Sequence, residues 1–412
     1  MRNRVLPPMK RLLLVLDPIA GSTSVQFEIL GSLVEGLGSL YDLSVYTPFC
    51  DPQRASVLAG LGCRLITPDA SSFHFNRFLD AIGDGNESML WAESWTREAL
   101  LHGNSRDVST YLGSHRFEYV VNLSMTVPVP SDLWWILGTP LDQTIRGMAS
   151  SNLVAKGVDF LAGRALSSLD AKVIHRIQSE ALHIVVNSPY LSDLYRARGV
   201  PVQGVVYTLK DLSDFQPTTD SPRRDYVLLY IGKETDHLDF GALLRAGVRI
   251  VGFGSKIPTG THLKRFTHSI EWLGQVSKRK LVDLYANALF TLFPFTCEPM
   301  GLVPIESMAC GTPVLTYGRQ GPGTTVVNDT TGWLVNTSEE MMAKAVEVWR
   351  RGETGIRRDA CVRRAQKFSA HRMVDELVNW VERGTSTDSA ATRVRDGSWG
   401  LASVAPMAMG RA

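Results

Sequence analysis

Two doubly wound α/β domains facing each other across a cleft are what this sequence predicts. Three observations point there. Short apolar runs at 11–16 and 226–231 each open a series in which strand-like and helix-like patterns alternate. Runs of this kind suit strands buried on both faces of a parallel sheet, and the alternation suits helices wrapped around it. Between the two series lies the polar stretch 208–224, with Pro217 and Pro222 and several Asp, Ser and Thr, which reads as the linker.

In the first series the strand at 11–16 is stopped by Asp17 and Pro18. A turn containing Gly21, Ser22 and Thr23 follows. A helix is expected over 25–37, with Phe27, Leu30, Leu33 and Leu37 on its apolar side. Strands are expected at 41–46, 63–66 and 117–123, and a helix at 91–101. The middle is less regular: a strand at 133–137, a long helix over 161–181, and a strand at 182–186 stopped by Asn187, Ser188 and Pro189. A helix through Tyr195 then closes near Gly199.

The second series has strands near 226–231, 249–253, 269–272, 288–293 and 314–317. Helices intervene at 240–245, 278–287, 304–310 and 339–350, and a last helix covers 371–382. From Gly384 the chain is small, polar and aperiodic, which reads as a flexible tail. Ligands of such sheets bind at the carboxyl ends of the strands.

Composition narrows the class. The 412 residues carry 43 Lys+Arg against 41 Asp+Glu, a formal net charge of +2, with 44% hydrophobic and 20% charged residues. That balance excludes a disordered chain and argues against a nucleic-acid binder. No apolar run approaches the ~18 residues of a membrane span. The five cysteines are scattered without a C-x-x-C pair, so neither a disulfide frame nor a zinc site is expected, and a cytoplasmic location is. Lys10, Arg11 and the tryptophans leave room for weak peripheral contact at the inner face of a membrane. Trp91, Trp95, Trp134 and Trp135 read first as core.

The strongest local signal runs from Phe293 to Leu315 and contains Glu298, Gly301, Glu306, Gly311 and Pro313. A strand enters a loop, Gly301 opens a short helix, and Gly311 with Pro313 ends it. Such a helix start offers unpaired amides to an anion, helped by the helix dipole. Glu298 stands ahead of the start and Glu306 eight residues on. Spacing alone leaves two readings: carboxylates flanking an anion site, or a cap and a solvated face residue. Elsewhere Gly252 and Gly254 lack the third glycine of a dinucleotide fingerprint, and neither D-x-D nor H-E-x-x-H occurs.

The stretch resembles the E-x7-E signature of retaining GT-B glycosyltransferases, family 4. Trp272 to Ser277, Leu281 to Ala288, Gly332 to Val335, Asn187 with Ser188, and Phe215 to Pro217 are similar to that family as well. The resemblance is strong over about 182–384 and mostly architectural before that. It implies two Rossmann-like domains: 1–210 on the acceptor side, 211–372 for the nucleotide-sugar, a final helix at 373–384 crossing back, and a tail at 385–412. It implies a hexosyltransferase-type enzyme that transfers a sugar from a nucleotide-sugar to a carbohydrate, lipid or protein acceptor with retention. No cofactor and no metal are then needed, because no protein nucleophile is required and cations offset the phosphate charge.

Carried over residue by residue, the resemblance gives Glu306 the ribose hydroxyls and Glu298 the donor sugar. Backbone groups at Met300, Gly301, Leu302 and Val303 would meet sugar and diphosphate. Gly232 and Lys233 sit where the family has a glycine and a cation for the leaving diphosphate, and Gly21 where it has a glycine-rich turn. The sequence departs from the family twice. The stretch 235–240 lacks the second cation, although His237 is present, and no His matches the one after a late first-domain strand. Other readings on this fold are a sugar-nucleotide epimerase or phosphorylase, or a catalytically silent binding subunit.

Overall fold

A computed structural model of the chain describes residues 9–19, 25–68, 87–149, 153–208, 210–218, 222–232, 235, 238, 240–254, 269–368 and 371–383. Among them, strands β1 (Arg11–Val15), β2 (Asp42–Tyr46), β3 (Arg64–Ile66), β4 (Tyr119–Asn122), β5 (Ser131–Ile136), β6 (Ala181–Val186) and β7 (Gly204–Val205) form one sheet. Its order is β3-β2-β1-β4-β5-β6-β7. A second sheet, β10-β9-β8-β11-β12-β13, contains β8 (Val227–Tyr230), β9 (Ile250–Phe253), β10 (Glu271–Trp272), β11 (Phe290–Phe293), β12 (Val314–Tyr317) and β13 (Gly332–Val335). The strand pairings within both sheets are parallel.

Both faces of the central strands are covered, and the sequence shows why. Leu12, Leu13, Leu14 and Val15 are all fully buried, as are Phe290, Thr291 and Leu292. Nearly continuous apolar runs suit that placement, and the Thr291 hydroxyl is paired with that of Ser307 at 2.8 Å. Several helices start where a short polar side chain caps them: Asp51 accepts from Arg54 N, Ser188 from Leu191 N and Thr337 from Glu340 N. Several elements had no clear sequence signal, including helices Pro52–Gly60, Gly103–Ser114, Leu141–Ala149 and Arg358–Gln366. Leu141–Ala149 and Arg358–Gln366 are rich in polar residues, and their apolar spacing is too sparse to stand out.

The last helix, His371–Arg383, packs on the first domain. The Tyr41 hydroxyl lies 3.0 Å from Glu382 Oε1, and Gly204 leaves room for the Trp380 ring, which a Cβ there would approach to 2.5 Å. The tail expected from 385 lies outside the described residues. No described helix is long and apolar enough to cross a membrane. Of the four tryptophans expected in the core, Trp95, Trp134 and Trp135 are buried, and Trp91 is half-buried.

In each sheet the strand order reverses at one place, between β1 and β4 and between β8 and β11. At the first reversal Asp17 is buried and receives Thr126 Oγ1 at 2.7 Å, the amides of Met125 and Thr126, Trp91 Nε1 and the Ser124 hydroxyl. Sequence reading took Asp17 only as the end of a strand. It is instead the acceptor that ties the loop after β4 to the end of β1.

A second buried carboxylate titrates in an accessible range. Asp170, on helix Leu153–Glu180, accepts Trp95 Nε1 at 3.2 Å and Asp142 N at 3.3 Å. Burial pushes its carboxyl up to about 6, against an ordinary aspartate value of about 3.9. The folded state therefore holds the proton more tightly than the unfolded chain. This contribution to stability is full below about pH 4 and is lost as pH rises through 6. In Asp170→Asn the fall in stability between pH 4 and 6, up to ~3 kcal/mol, should flatten in denaturant melts.

Candidate active site

The second reversal point builds the site. Strand β11 ends at Phe293, and the loop 294–301 leads into helix Leu302–Ala309. Gly301 is the residue before that helix and has φ of +89°. A side chain there would be strained, and a Cβ would approach Pro322 Cγ to 2.9 Å. The glycine thus lets the chain turn tightly into the helix.

Glu298 folds back on this turn. Its Oε1 accepts Gly301 N at 2.9 Å and Met300 N at 3.2 Å. Those two amides, expected to meet a donor, are engaged by the chain's own carboxylate here. The next two, of Leu302 and Val303, open the helix and have no intrahelical acceptor by geometry. The backbone of Glu298 is clamped at both ends. Its N–H donates to Gln320 Oε1 at 2.6 Å, and its carbonyl accepts Gly321 N at 3.0 Å. Gln320 also donates to Phe295 O, and Gly321 cannot carry a side chain, because a Cβ would lie 2.0 Å from Pro299 O. The segment after β12 therefore fixes where Glu298 stands.

Glu306 lies on the same helix and is 6% exposed, which removes the reading of a solvated face residue. Its Oε2 accepts the Tyr285 hydroxyl at 3.0 Å, and its Oε1 lies 2.5 Å from Lys210 Nζ. Burial and the adjacent Glu306 hold the Tyr285 hydroxyl well above its ordinary range, so it stays a donor. Glu298 and Glu306 thus flank one helix start at the carboxyl end of β11.

Beside them runs a third segment. Gly232, just past β8, donates its N–H to Thr235 Oγ1 at 2.8 Å, and Thr235 forms an antiparallel bridge with Phe295. A Cβ on Gly232 would meet Phe295 Cζ at 2.9 Å, and Phe295 stacks on Phe293 at 4.4 Å. Gly232 is therefore held against the loop that carries Glu298. Lys233, Glu234 and His237 lie outside the described residues, as do Gly21, Ser22 and Thr23.

The first domain reaches the same loop. The Cys297 thiol donates to Gln143 O at 3.4 Å, and Thr296 Oγ1 donates to Gly147 O at 3.3 Å. Both acceptors are on helix Leu141–Ala149. Cys297 has φ of +61°, an unusual value for a residue with a side chain. Burial pushes the Tyr190 hydroxyl up to about 12, and nearby Cys297 and Glu298 add to the effect. Sequence reading missed Lys210, Tyr285, Gln320 and the contacts of Thr296 and Cys297 with helix Leu141–Ala149. Only the Gly-Pro-rich run after β12 hinted at Gln320.

Residues 261–368 match the family described as Glycosyl transferases group 1. The matched segment is 108 of the 412 residues. It holds Glu298, the helix start and Glu306 together. The D-inositol 3-phosphate glycosyltransferase of Streptosporangium roseum is 29% identical over 236 residues, 48% of this chain and 53% of that protein. The namesake enzyme of Rhodococcus erythropolis is 26% identical over 310 residues, 66% of this chain and 69% of its own. The chain thus spans about half the length of the first of these relatives.

Solved structures agree in fold. The sucrose-phosphate synthase of Thermosynechococcus elongatus superposes with a TM-score of 0.65 at 16% identity, over 92% of this chain and 100% of that one. Anabaena HepE, solved in complex with UDP, gives 0.61 at 14% identity, over 90% and 100%. The two parallel sheets together form the GT-B fold.

Proposed function

We propose that this protein is a retaining glycosyltransferase of family 4 type, which transfers a hexosyl group from a nucleotide-sugar to an acceptor. The observation that carries this reading is the placement of Glu298 and Glu306 on either side of one helix start, at the carboxyl end of β11. The group 1 match over 261–368 and the UDP complex of a structural neighbour support it.

In this reading Glu306 accepts the two ribose hydroxyls of the nucleotide. The amides of Leu302 and Val303 face the diphosphate, where the helix dipole favours negative charge. Glu298 takes hydroxyls of the donor sugar, and its hold on Met300 and Gly301 orients it for that task. Lys233 offsets the charge that builds on the departing diphosphate. The leaving phosphate helps to deprotonate the acceptor on the same face of the sugar, which yields retention without a protein nucleophile. The charge is carried by the chain's own groups, so no metal or cofactor enters the scheme.

Glu306→Ala is expected to weaken binding of UDP, or of whichever nucleoside diphosphate binds best, by roughly ten- to a hundredfold, as loss of charge-assisted hydrogen bonds implies. Turnover at saturating donor should fall less. Calorimetry of the wild-type and variant chains measures the first, and unchanged affinity removes Glu306 from the site. The anomeric configuration of the product, read by NMR, tests retention.

A further inference from the structure

We propose that Lys210 is a positioning residue of the nucleotide subsite, holding Glu306 ionised and aimed so that it can read a ribose diol. The inference rests on the role of Glu306 given above. Lys210 stands between the two sheets, after β7 and before β8, in a segment that carried no chemical signal in the sequence. Its ammonium lies 2.5 Å from Glu306 Oε1 and 5.0 Å from the centre of the Phe215 ring. The Lys210 side chain is 14% exposed and that of Glu306 7%.

A carboxylate buried to that degree without a cation would tend to take up a proton. A protonated carboxyl has lost part of its acceptor capacity and becomes a donor at one oxygen. It would then face the two hydroxyls of a ribose with mismatched polarity. Lys210 on one oxygen and the Tyr285 hydroxyl on the other prevent this and fix the plane of the group. Each carboxylate oxygen offers two lone-pair directions, so these contacts do not by themselves exhaust it. The ammonium also lies over the ring of Phe215, where a cation is attracted to the aromatic face.

Lys210 also ties the site to the interdomain segment. This ion pair links the helix that would carry the nucleotide to the chain that joins the domains. A partly buried pair at that position resists screening by salt, which separates it from the exposed pairs of the surface.

The test is calorimetry on the full chain with UDP, GDP and ADP and their 2′-deoxy forms, using the tightest binder of the three. The wild type is expected to prefer the ribose form by about tenfold. Lys210→Met should lose most of that preference, weakening the ribose form by roughly tenfold while the 2′-deoxy form shifts little. Lys210→Arg should keep part of it, because the charge survives with a different shape. Glu306→Gln should abolish the preference as well.

The arms separate two failures. If Glu306→Gln keeps the preference, or no nucleoside diphosphate binds the wild type, the reading of Glu306 falls and Lys210 falls with it. If Glu306→Gln abolishes the preference and Lys210→Met retains it, the Lys210 proposal alone is overturned. Tighter binding by Lys210→Met also overturns it, since the lysine would then be occupying the subsite. Should Lys210→Met fail to fold in a thermal melt, Lys210→Gln carries the same test. It keeps a donor and loses the charge, and an undiminished preference there is equally fatal.

Discussion

Lys233→Ala is expected to lower kcat by about 10²–10³-fold, the loss seen when one preorganised electrostatic donor is removed. The effect should fall on turnover more than on donor affinity. Charge on the diphosphate grows as the glycosidic bond breaks, so a cation there gains most in the transition state. In the proposed scheme the intact donor would still have the amides at the start of helix Leu302–Ala309 in the ground state. Gly232 and Thr235 are held against Phe295, in the loop that carries Glu298. Lys233→Arg should retain part of the activity, since its charge persists in a planar, forked shape. Steady-state kinetics on a donor and acceptor pair found by screening would measure both variants. Wild-type turnover by Lys233→Ala would remove the single-cation scheme and move attention to His237.

Gly147→Ala is expected to lower kcat/KM by at least about tenfold, because misplacing catalytic groups by roughly 1 Å costs on the order of 10²-fold. A Cβ on Gly147 would lie 2.2 Å from Cys297 Sγ, too close for any side chain without movement. The loop cannot give way freely, since Glu298 one residue later is clamped through Gln320 and Gly321. Either the thiol turns away and gives up its bond to Gln143 O, or the first domain retreats, and both disturb the contact between domain and loop. The fold of that domain should not suffer, because alanine favours a helix interior over glycine by about 1 kcal/mol. Cys297→Gly in the same chain should restore activity. It removes the thiol, and its φ of +61° suits glycine. Kinetics and thermal melts of the single and double variants check this. A double variant no more active than Gly147→Ala would show that the contact is not what matters.

Much of the fold was legible because buried parallel strands must be apolar on both faces. The runs at 11–16, 226–231 and 288–293 announced β1, β8 and β11 for that reason. The helix Leu141–Ala149 did not announce itself, since one apolar edge on a polar nine-residue segment resembles a loop. Its role appears only where it meets Cys297. The two glutamates were legible as a spaced pair on a strand, turn and helix, which is a local pattern.

Sequence by itself determined the alternation of elements, the glycine that opens helix Leu302–Ala309, and the eight-residue spacing that puts two carboxylates about its start. These depend on neighbours along the chain, through backbone geometry and hydrophobic period. Tertiary structure alone decided that Glu306 is buried against Lys210 and Tyr285, 96 and 21 positions away. It alone decided that Gln320 clamps Glu298 and that Gly147 admits the Cys297 thiol. The physical reason is burial. A carboxylate removed from water must find its cation and donors wherever folding brings them, and sequence distance does not say where that is.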